Sequence, residues 1–504
     1  MRSVLVCAVV GALAVTACRA RVEPRPRAAA VEVPVAASEA RQRPRVAVEP
    51  AVRSDDAVGE AVEWRLRRGQ DAGRLRVEAR ANEGVVTLLG TADNLLVKQR
   101  AERRAESIRG VREVRNRIQV APTDRTDAEV ASDVRSALLA GPATDHLDIE
   151  VIVEGGTARL TGTVPSSAES ALAEQVTRGI RGVLEIENDL AVSSAEQRAA
   201  AEVRADVLQR LTYDVRFDDE RIEARVEQAT VVLEGTVDSA RERRLAAQAA
   251  RVVGARDVDV TGLGVRPSAR DFARRSERPQ PPDEAIEAAL EAALARDPRV
   301  RRAAIEVVVE QGVATLSGRA PTLLALRAAE QDASSTWGIR RVNNRLLVRP
   351  LRPADDSLLA ERLRAAFQAD AYLHEADVQV GVHDGVALLT GTVDGAAARR
   401  RAEELAARQS GLTRVDDRLR VEGSSDLATD RRLERDVRRA LSDAAGIDAE
   451  AVDVVVLGGV VTLRGRVDPR TLAGAAEVAS DLAPGQLQNQ LELENSSEIP
   501  ATAP

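Results

Sequence analysis

The segment Gly312-Val313-Ala314-Thr315-Leu316-Ser317-Gly318-Arg319-Ala320 has the pattern of a hairpin turn followed by its return strand, and this pattern recurs along the chain. Gly312 is suited to the turn, since glycine accepts the positive φ of a tight hairpin. Every second residue from Ala314 to Ala320 lies on one face of the strand. Gly318 is therefore predicted on the core side, where its missing Cβ would let a helix backbone approach the sheet closely.

The residues around this hairpin predict the rest of one folding unit. Ile286, Leu290 and Leu294 form a helical apolar stripe before it, and Ile305, Val307 and Val309 alternate in the first strand. Pro321-Thr322 opens a second helix after the hairpin. Val342, Leu346 and Val348 then occupy positions of a third strand. The predicted order is helix, strand, strand, helix, strand.

This unit occurs six times, with a fixed interval of 24 residues between an apolar helical triplet and a glycine. The triplets are Val58/Val62/Leu66, Val130/Val134/Leu138, Val203/Val207/Leu211, Ile286/Leu290/Leu294, Leu359/Leu363/Phe367 and Leu433/Val437/Leu441. The corresponding key glycines are Gly90, Gly162, Gly235, Gly318, Gly391 and Gly465. A period of this length indicates small packed units repeated in tandem. The third copy has Ala229 in place of the turn glycine, which predicts a looser hairpin or another turn type.

The pattern Gly-Val-(Val/Ala)-Thr-Leu-x-Gly-x-Val, with an Ala-rich helix and a tail Gly-Val-x-x-Val-x-Asn-x-Leu-x-Val, resembles the BON domain. Segments 84–92, 312–320 and 459–467 match the first part best, and Asn116, Asn188 and Asn344 occupy the tail asparagine position. The resemblance implies an α+β fold of six tandem αββαβ domains, each a three-stranded mixed sheet covered by two helices. It also implies binding rather than catalysis: phospholipid binding, protection against osmotic stress and maintenance of the outer-membrane barrier in the cell envelope of bacteria.

The resulting domain boundaries leave a linker between the third and fourth copies. The six BON-like domains are predicted at 55–121, 127–192, 196–266, 283–349, 354–421 and 430–495. Residues 267–282 contain four prolines and are predicted as a hinge between two three-domain halves. Residues 496–504 are predicted as a disordered tail.

The N-terminal segment has the features of an exported lipoprotein. Residues 1–17 resemble a signal peptide, with a positive start and an apolar run too short for a confident membrane span. Val15-Thr16-Ala17-Cys18 resembles a lipobox, so Cys18 is predicted to be lipidated; the alternative is an ordinary secretory signal with an incidental cysteine. Residues 18–54 are predicted as a disordered Pro-, Ala- and Arg-rich tether. Arg19, by resemblance to enterobacterial sorting, indicates the inner face of the outer membrane.

Charge distribution marks the first copy as the candidate membrane contact. Segment 55–121 carries 14 Lys and Arg against 11 acidic residues, whereas segment 127–192 carries 4 against 12. The candidate lipid-contact residues, on or just after the second helix, are Lys98, Arg100, Arg103, Arg104, Arg109 and Arg112. Basic side chains gain about 1 kcal/mol each near an anionic bilayer. The alternative is a solvated helix face whose charges are offset by Glu102 and Glu106.

The sequence contains no pattern typical of an enzyme. It has no Gly-x-Ser-x-Gly elbow and no phosphate loop, and both cysteines lie within the first 18 residues. His374 and His383, near Asp377 and Asp384, are interpreted as solvated loop residues rather than metal ligands. No cofactor and no catalytic residue is predicted, and the net charge of −8 predicts no nucleic-acid partner. Two functions stay open: a lipid-anchored protein that binds phospholipid, or a scaffold that recruits envelope proteins or cell-wall partners.

Overall fold

The computed structural model describes residues 53–193, 198–216, 221–266, 280–351, 354–421, 427–483 and 487–493. The predicted signal peptide, Cys18, nearly all of the tether, residues 267–279 of the hinge and the tail lie outside these ranges. Within them, no helix combines the length and the apolar character needed to cross a bilayer.

The first three repeats follow the predicted element order. Repeat 1 contains α1 (Asp55–Arg68), β1 (Leu75–Asn82), β2 (Val85–Ala92), α2 (Leu95–Glu106) and β3 (Glu113–Val120). Repeat 2 contains α3 (Asp127–Leu139), β4 (Asp148–Glu154), β5 (Thr157–Val164), α4 (Ser167–Arg178) and β6 (Glu185–Val192). Repeat 3 contains α5 (Ala200–Tyr213), β7 (Ile222–Glu227), β8 (Thr230–Val237), α6 (Ala240–Ala249), β9 (Asp257–Asp259) and β10 (Leu263–Val265).

The last three repeats follow the same order. Repeat 4 contains α7 (Asp283–Arg296), β11 (Ala304–Glu310), β12 (Val313–Ala320), α8 (Leu323–Ser335), β13 (Arg341–Asn344) and β14 (Leu347–Val348). Repeat 5 contains α9 (Asp356–Ala369), β15 (Asp377–His383), β16 (Val386–Val393), α10 (Ala396–Arg408) and β17 (Arg414–Val421). Repeat 6 contains α11 (Leu427–Asp443), β18 (Asp453–Leu457), β19 (Val460–Val467), α12 (Pro469–Ser480) and β20 (Leu487–Leu493).

Each repeat folds as a mixed sheet with its hairpin return strand in the middle. In repeat 1, β2 pairs antiparallel with β1 and parallel with β3, and the other described sheets have the same arrangement. The final strand is split in two in repeats 3 and 4. The predicted α+β class and the mixed three-stranded sheet covered by two helices are therefore confirmed.

Local signals explain why the first helix forms where it does. The Ser54 hydroxyl accepts the Ala57 N–H at 3.3 Å at the N-terminus of α1, and acidic residues occupy the first turn. Val58, Val62 and Leu66 are buried against the sheet, as the helical spacing predicts. The same spacing buries the corresponding triplets of the other repeats.

The hairpin turns share one geometry in every repeat. In repeat 3, Gln228 and Ala229 have φ of 49° and 65°, which matches the positive φ pair of Gln311 and Gly312 in repeat 4. The prediction of a looser or different turn at Ala229 is therefore wrong. Pairing of β7 with β8 on both sides of the turn holds Ala229 in the conformation that glycine adopts elsewhere.

The repeats pair across the chain: the first with the sixth, the second with the fifth and the third with the fourth. In each pair, a residue one or two positions after the second helix of one repeat forms a single antiparallel bridge with the residue that follows the first helix of the other. The bridged residues are Ile108 with Ala444, Ile180 with Asp370, and Thr336 with Asp214. Because all three bridges use the same two repeat positions, one kind of contact is made three times.

The three pairs also contact one another. Repeats 1 and 5 share a continuous apolar core, whereas repeats 2, 3, 4 and 6 each centre on a cluster of their own. Arg301 of repeat 4 forms an ion pair with Glu169 of repeat 2, and Arg470 of repeat 6 forms one with Asp238 of repeat 3. Each pair contains one repeat from either half of the chain. The two halves of the chain therefore contact each other, and the hinge predicted at residues 267–282 stays a prediction because residues 267–279 lie outside the described ranges.

Candidate functional site

The six key glycines are structural, but not for the predicted reason. Gly90 has φ of 138°, and a Cβ at this position would lie 1.9 Å from the Arg76 carbonyl oxygen on β1. The five equivalent glycines have φ between 113° and 138°, and a Cβ there would meet the corresponding carbonyl at 1.9–2.1 Å. The nearest atoms belong to the neighbouring strand and not to a helix. The close approach is thus between two strands of the hairpin.

Two of the candidate lipid-contact residues are committed to contacts inside the chain. Arg104 is 4% exposed, and its Nη1 lies 2.8 Å from a carboxylate oxygen of Asp71, which is fully buried. Arg100 lies 3.5 Å from the same carboxylate, and its guanidinium stacks 4.8 Å from the ring centre of Tyr372. The Tyr372 hydroxyl donates to Asp71 at 2.7 Å, so this cluster joins repeats 1 and 5.

Electrostatics in this cluster favour the ionised carboxylate. Burial of Asp71 opposes its ionisation, but Arg104, Arg100 and the Tyr372 hydroxyl outweigh that effect and hold its pKa below the usual value. Burial raises the pKa of the Tyr372 hydroxyl, which stays a hydrogen-bond donor. The cluster is therefore a neutralised, buried ion network that fixes one repeat against another.

The other candidate lipid-contact residues do not gather on one surface. Burial, with Arg244 and Arg178 nearby, lowers the pKa of Arg103 to about 10. Arg109 lies at the contact with repeat 6, where its backbone N–H donates to the Asp443 carbonyl at 2.9 Å. Arg112 is exposed and Lys98 is half-buried in a cleft. The structure separates the group, and its lipid contact stays a prediction.

The cleft lies between repeats 1 and 2 and consists of two adjoining cavities. The larger, of about 560 Å³, is lined by the end of β3, by Lys98 of α2 and by residues of α4 and β6. The smaller, of about 310 Å³, continues from it toward His374 of repeat 5. Val120 and Leu184 line both cavities, so the two cavities adjoin at these residues.

One group of side chains in the described residues lies within reach of a common metal ion, but it has another role. Oxygen and nitrogen atoms of Asp356, His383 and Asp384 approach one another within 4.8 Å. The two Asp356 oxygens accept the backbone N–H groups of Asp384 at 2.7 Å and Gly385 at 3.0 Å. This carboxylate therefore holds the hairpin turn. His374 lies apart from it, half-buried, and its Nδ1 is 3.3 Å from the Asp370 carbonyl.

The same carboxylate clamp recurs in five repeats, and the sequence analysis missed it. Both oxygens of the first-helix aspartate accept the two turn N–H groups at 2.6–3.0 Å. The aspartates are Asp55, Asp127, Asp283, Asp356 and Asp430. Repeat 3 has Ala200 at this position, and it is the repeat with Ala229 in the turn. The sequence signal was the interval of 35 residues between each of these aspartates and the key glycine of its repeat, which is the same in all five repeats.

The tail asparagines have a structural role too. Asn116 Nδ2 donates to the Lys98 carbonyl at 3.0 Å, which ties β3 to α2. Its Oδ1 accepts the Ile118 N–H at 3.2 Å. Asn188 and Asn344 make the corresponding contacts in repeats 2 and 4. The asparagine therefore secures the last strand of its repeat.

Known proteins share this architecture at the level of single repeats. The family model described as the BON domain matches residues 54–122, 126–194, 199–267, 282–350, 355–423 and 429–495. This is not the model of an enzyme family. Osmotically-inducible protein Y of Escherichia coli is 31% identical over 145 residues, 28% of this chain and 72% of that protein.

Two further relatives align over similar lengths. The 21 kDa hemolysin of Actinobacillus pleuropneumoniae is 30% identical over 132 residues, 25% of this chain and 68% of that protein. Outer membrane lipoprotein DolP of Haemophilus influenzae is 27% identical over 155 residues, 28% of this chain and 80% of that protein. Six family matches fall on six αββαβ units and cover most of the chain, and the protein therefore belongs to the BON-domain family.

Proposed function

We propose that this is a non-enzymatic, lipid-anchored protein of the cell envelope that supports envelope integrity and protects against osmotic stress. The observation that carries the proposal is the sixfold BON architecture. Its relatives bear names that refer to osmotic induction and to an outer-membrane lipoprotein. The lipobox-like Val15 to Cys18 supports anchoring through Cys18, and Arg19 supports the outer membrane.

Phospholipid binding is part of this proposal, with the exposed basic residues as the contact. Arg112 is exposed and Lys98 is half-buried in the cleft, and neither side chain has an ion-pair partner among the described residues. Each would gain about 1 kcal/mol near an anionic surface. Arg100 and Arg104 instead neutralise Asp71 and are unsuited to the role.

A liposome assay tests this contact. The lipid-free chain is sedimented with vesicles of phosphatidylglycerol or of phosphatidylcholine, at low and high salt. The Lys98→Glu/Arg112→Glu variant should bind anionic vesicles less. Arg319→Glu/Arg341→Glu, which reverses two exposed charges of repeat 4 that have no ion-pair partner among the described residues, is the matched control. Equal binding of both variants to anionic vesicles would reject these residues as the lipid contact.

Envelope function and anchoring are tested in cells. A strain without the protein should recover poorly from hyperosmotic shift and admit more detergent, and the wild-type gene should restore both properties. Cys18→Ser should abolish labelling by a palmitate analogue and release the protein from the membrane fraction. Unaltered recovery and detergent resistance in the deletion strain would refute the envelope role.

An interaction scaffold is the second candidate, and the burial of helices favours it. The second helices of repeats 1, 2 and 4 end in contacts with other repeats, which leaves sheet faces and strand edges exposed. Ile152, Val308 and Val455 are 40–49% exposed on sheet faces turned away from the helices. Crosslinking of the anchored protein in intact cells tests this function: specific envelope-protein adducts support it, and a monomer alone refutes it.

A further inference from the structure

The cleft between repeats 1 and 2 is lined by polypeptide backbone. Four consecutive residues of β3, Arg117 to Val120, border the larger cavity. Successive side chains of a strand point to opposite faces, so four in a row can line one cavity only if the cavity runs along the strand edge. Leu184, Glu185 and Ile186 of repeat 2 border the opposite side.

The end of β3 offers to this cleft backbone groups that have no hydrogen-bond partner among the described residues. The Ala121 N–H donates to the Ala92 carbonyl at 2.9 Å, which directs Ala121 toward β2. Alternation along a strand then turns the N–H and C=O of Val120 away from β2 and into the cleft that Val120 lines. Ile118, two residues earlier on the same edge, is already engaged, because its N–H donates to the Asn116 side chain. The open stretch of edge is therefore short and begins after Ile118.

Side chains around the edge combine an apolar floor with positive charge. Leu95, Leu184 and Ile186 are half-buried and line the larger cavity. Lys98 and Arg117 also line it, and neither side chain has an ion-pair partner among the described residues. Arg178 is paired with Glu174, which leaves Glu185 as the opposing charge. The cleft thus suits an extended segment that carries both apolar and acidic side chains.

We propose that this cleft binds an extended peptide segment of alternating apolar and acidic residues, which adds to the edge of β3 as a fourth strand. Backbone hydrogen bonds to Val120 would set the register of the peptide. Its apolar side chains would contact the apolar floor, and its acidic side chains would pair with Lys98 and Arg117. A lipid headgroup would leave the backbone groups of the edge unused. The inference rests on the scaffold function and does not depend on lipid anchoring, but it assigns Lys98 to a peptide instead of to phospholipid.

Fluorescence anisotropy of a labelled ten-residue peptide that alternates valine and glutamate tests the proposal on the full chain. Val120→Pro removes the outward N–H and should weaken binding about ten-fold or more, as expected for loss of one well-formed hydrogen bond. Val192→Pro makes the same change at the equivalent position of repeat 2, where Ser193 N–H donates to the Val164 carbonyl at 3.0 Å. It should bind the peptide like the wild type.

Charge and location are tested separately. Lys98→Glu/Arg117→Glu should reverse the preference, so that an alternating valine–lysine peptide binds better than the glutamate peptide. Arg418→Glu, at the position in repeat 5 that corresponds to Arg117, should change nothing. Bound peptide should slow hydrogen exchange at Val120. Equal affinity of Val120→Pro and wild type, or competition of phosphatidylglycerol vesicles for the same site, would overturn the proposal.

Discussion

The strongest test of the inter-repeat packing is substitution of Asp71 by asparagine. Asp71 is fully buried between repeats 1 and 5 and accepts from the Tyr372 hydroxyl at 2.7 Å, with Arg104 at 2.8 Å and Arg100 at 3.5 Å. Asparagine keeps the shape of the side chain and removes its charge. Arg104, which is 4% exposed, would then remain buried without its counter-ion.

The expected loss of unfolding free energy is large, because the substitution removes the charge of one member of a buried ion pair. Breaking such a pair costs about 3 to 5 kcal/mol. With a urea m-value of about 2 kcal/mol per M, the transition would move down by about 2 M. Asp436→Asn is the matched control, since its partner Arg68 and Asp436 itself are 35% and 21% exposed. An exposed pair of this kind contributes about 0 to 1 kcal/mol.

Tryptophan fluorescence in urea measures this loss. The chain has two tryptophans. Trp64 packs against the core of repeat 6, with the Arg439 guanidinium 4.4 Å from its ring, and Trp337 lies at the contact between repeats 3 and 4. In a Trp337→Phe background, emission therefore reports on the neighbourhood of repeat 1. Asp71→Asn should shift that transition, and Asp436→Asn should leave it nearly in place.

Acid provides a second reading of the same carboxylate. The folded-state pKa of Asp71 lies below its unfolded value, so its stabilisation is present above about pH 4 and is lost as pH falls through the folded pKa. Asp71→Asn should remove this part of the acid sensitivity. A loss of stability no larger than that of Asp436→Asn, at neutral pH, would refute the buried ion network.

Three further predictions concern single repeats. Gly90→Ala should unfold repeat 1 or sharply lower the melting temperature, because its Cβ would lie 1.9 Å from a carbonyl oxygen. In the same thermal melt, Gly73→Ala is the control and should be tolerated, since a Cβ at that position meets no atom within 4 Å. Ala229→Gly should stabilise repeat 3 by about 1 kcal/mol in urea, by relief of its φ of 65°. Burial and Asp297 raise the pKa of Asp332 to about 7. The free energy of unfolding, measured by Trp337 emission, should therefore rise as pH falls from 8 to 5, and Asp332→Asn should reduce that rise.

Much of each repeat could be predicted from local pattern. Helical spacing placed Val58, Val62 and Leu66 in the core, and strand alternation placed Leu316 there. These assignments succeed because periodicity reports which side of an element is buried. The reason given for Gly90 failed, since neither its φ nor the Arg76 carbonyl opposite is visible in a pattern of side chains. Ala229 failed for a related reason: strand pairing overrides the preference of a single residue.

The basic residues of α2 show where sequence reasoning reaches its limit. Their charge suggested a surface, yet Arg104 and Arg100 neutralise Asp71 beside Tyr372, which is 301 residues distant in the chain. Nothing local to α2 indicates that partner. The count of charged residues in the first repeat was therefore correct, but it did not show which of the basic side chains are exposed.

The number of units, the order of their elements and the residues that close each core can all be derived from the amino-acid sequence, because they depend on contacts within about 70 residues that every copy repeats. The pairing of the first repeat with the sixth, the second with the fifth and the third with the fourth is visible only in the folded chain. Those pairs join helix ends and buried charges from distant segments. Copies of one unit carry similar patterns whichever neighbour they contact, so the choice of neighbour is settled only when the assembled surfaces meet.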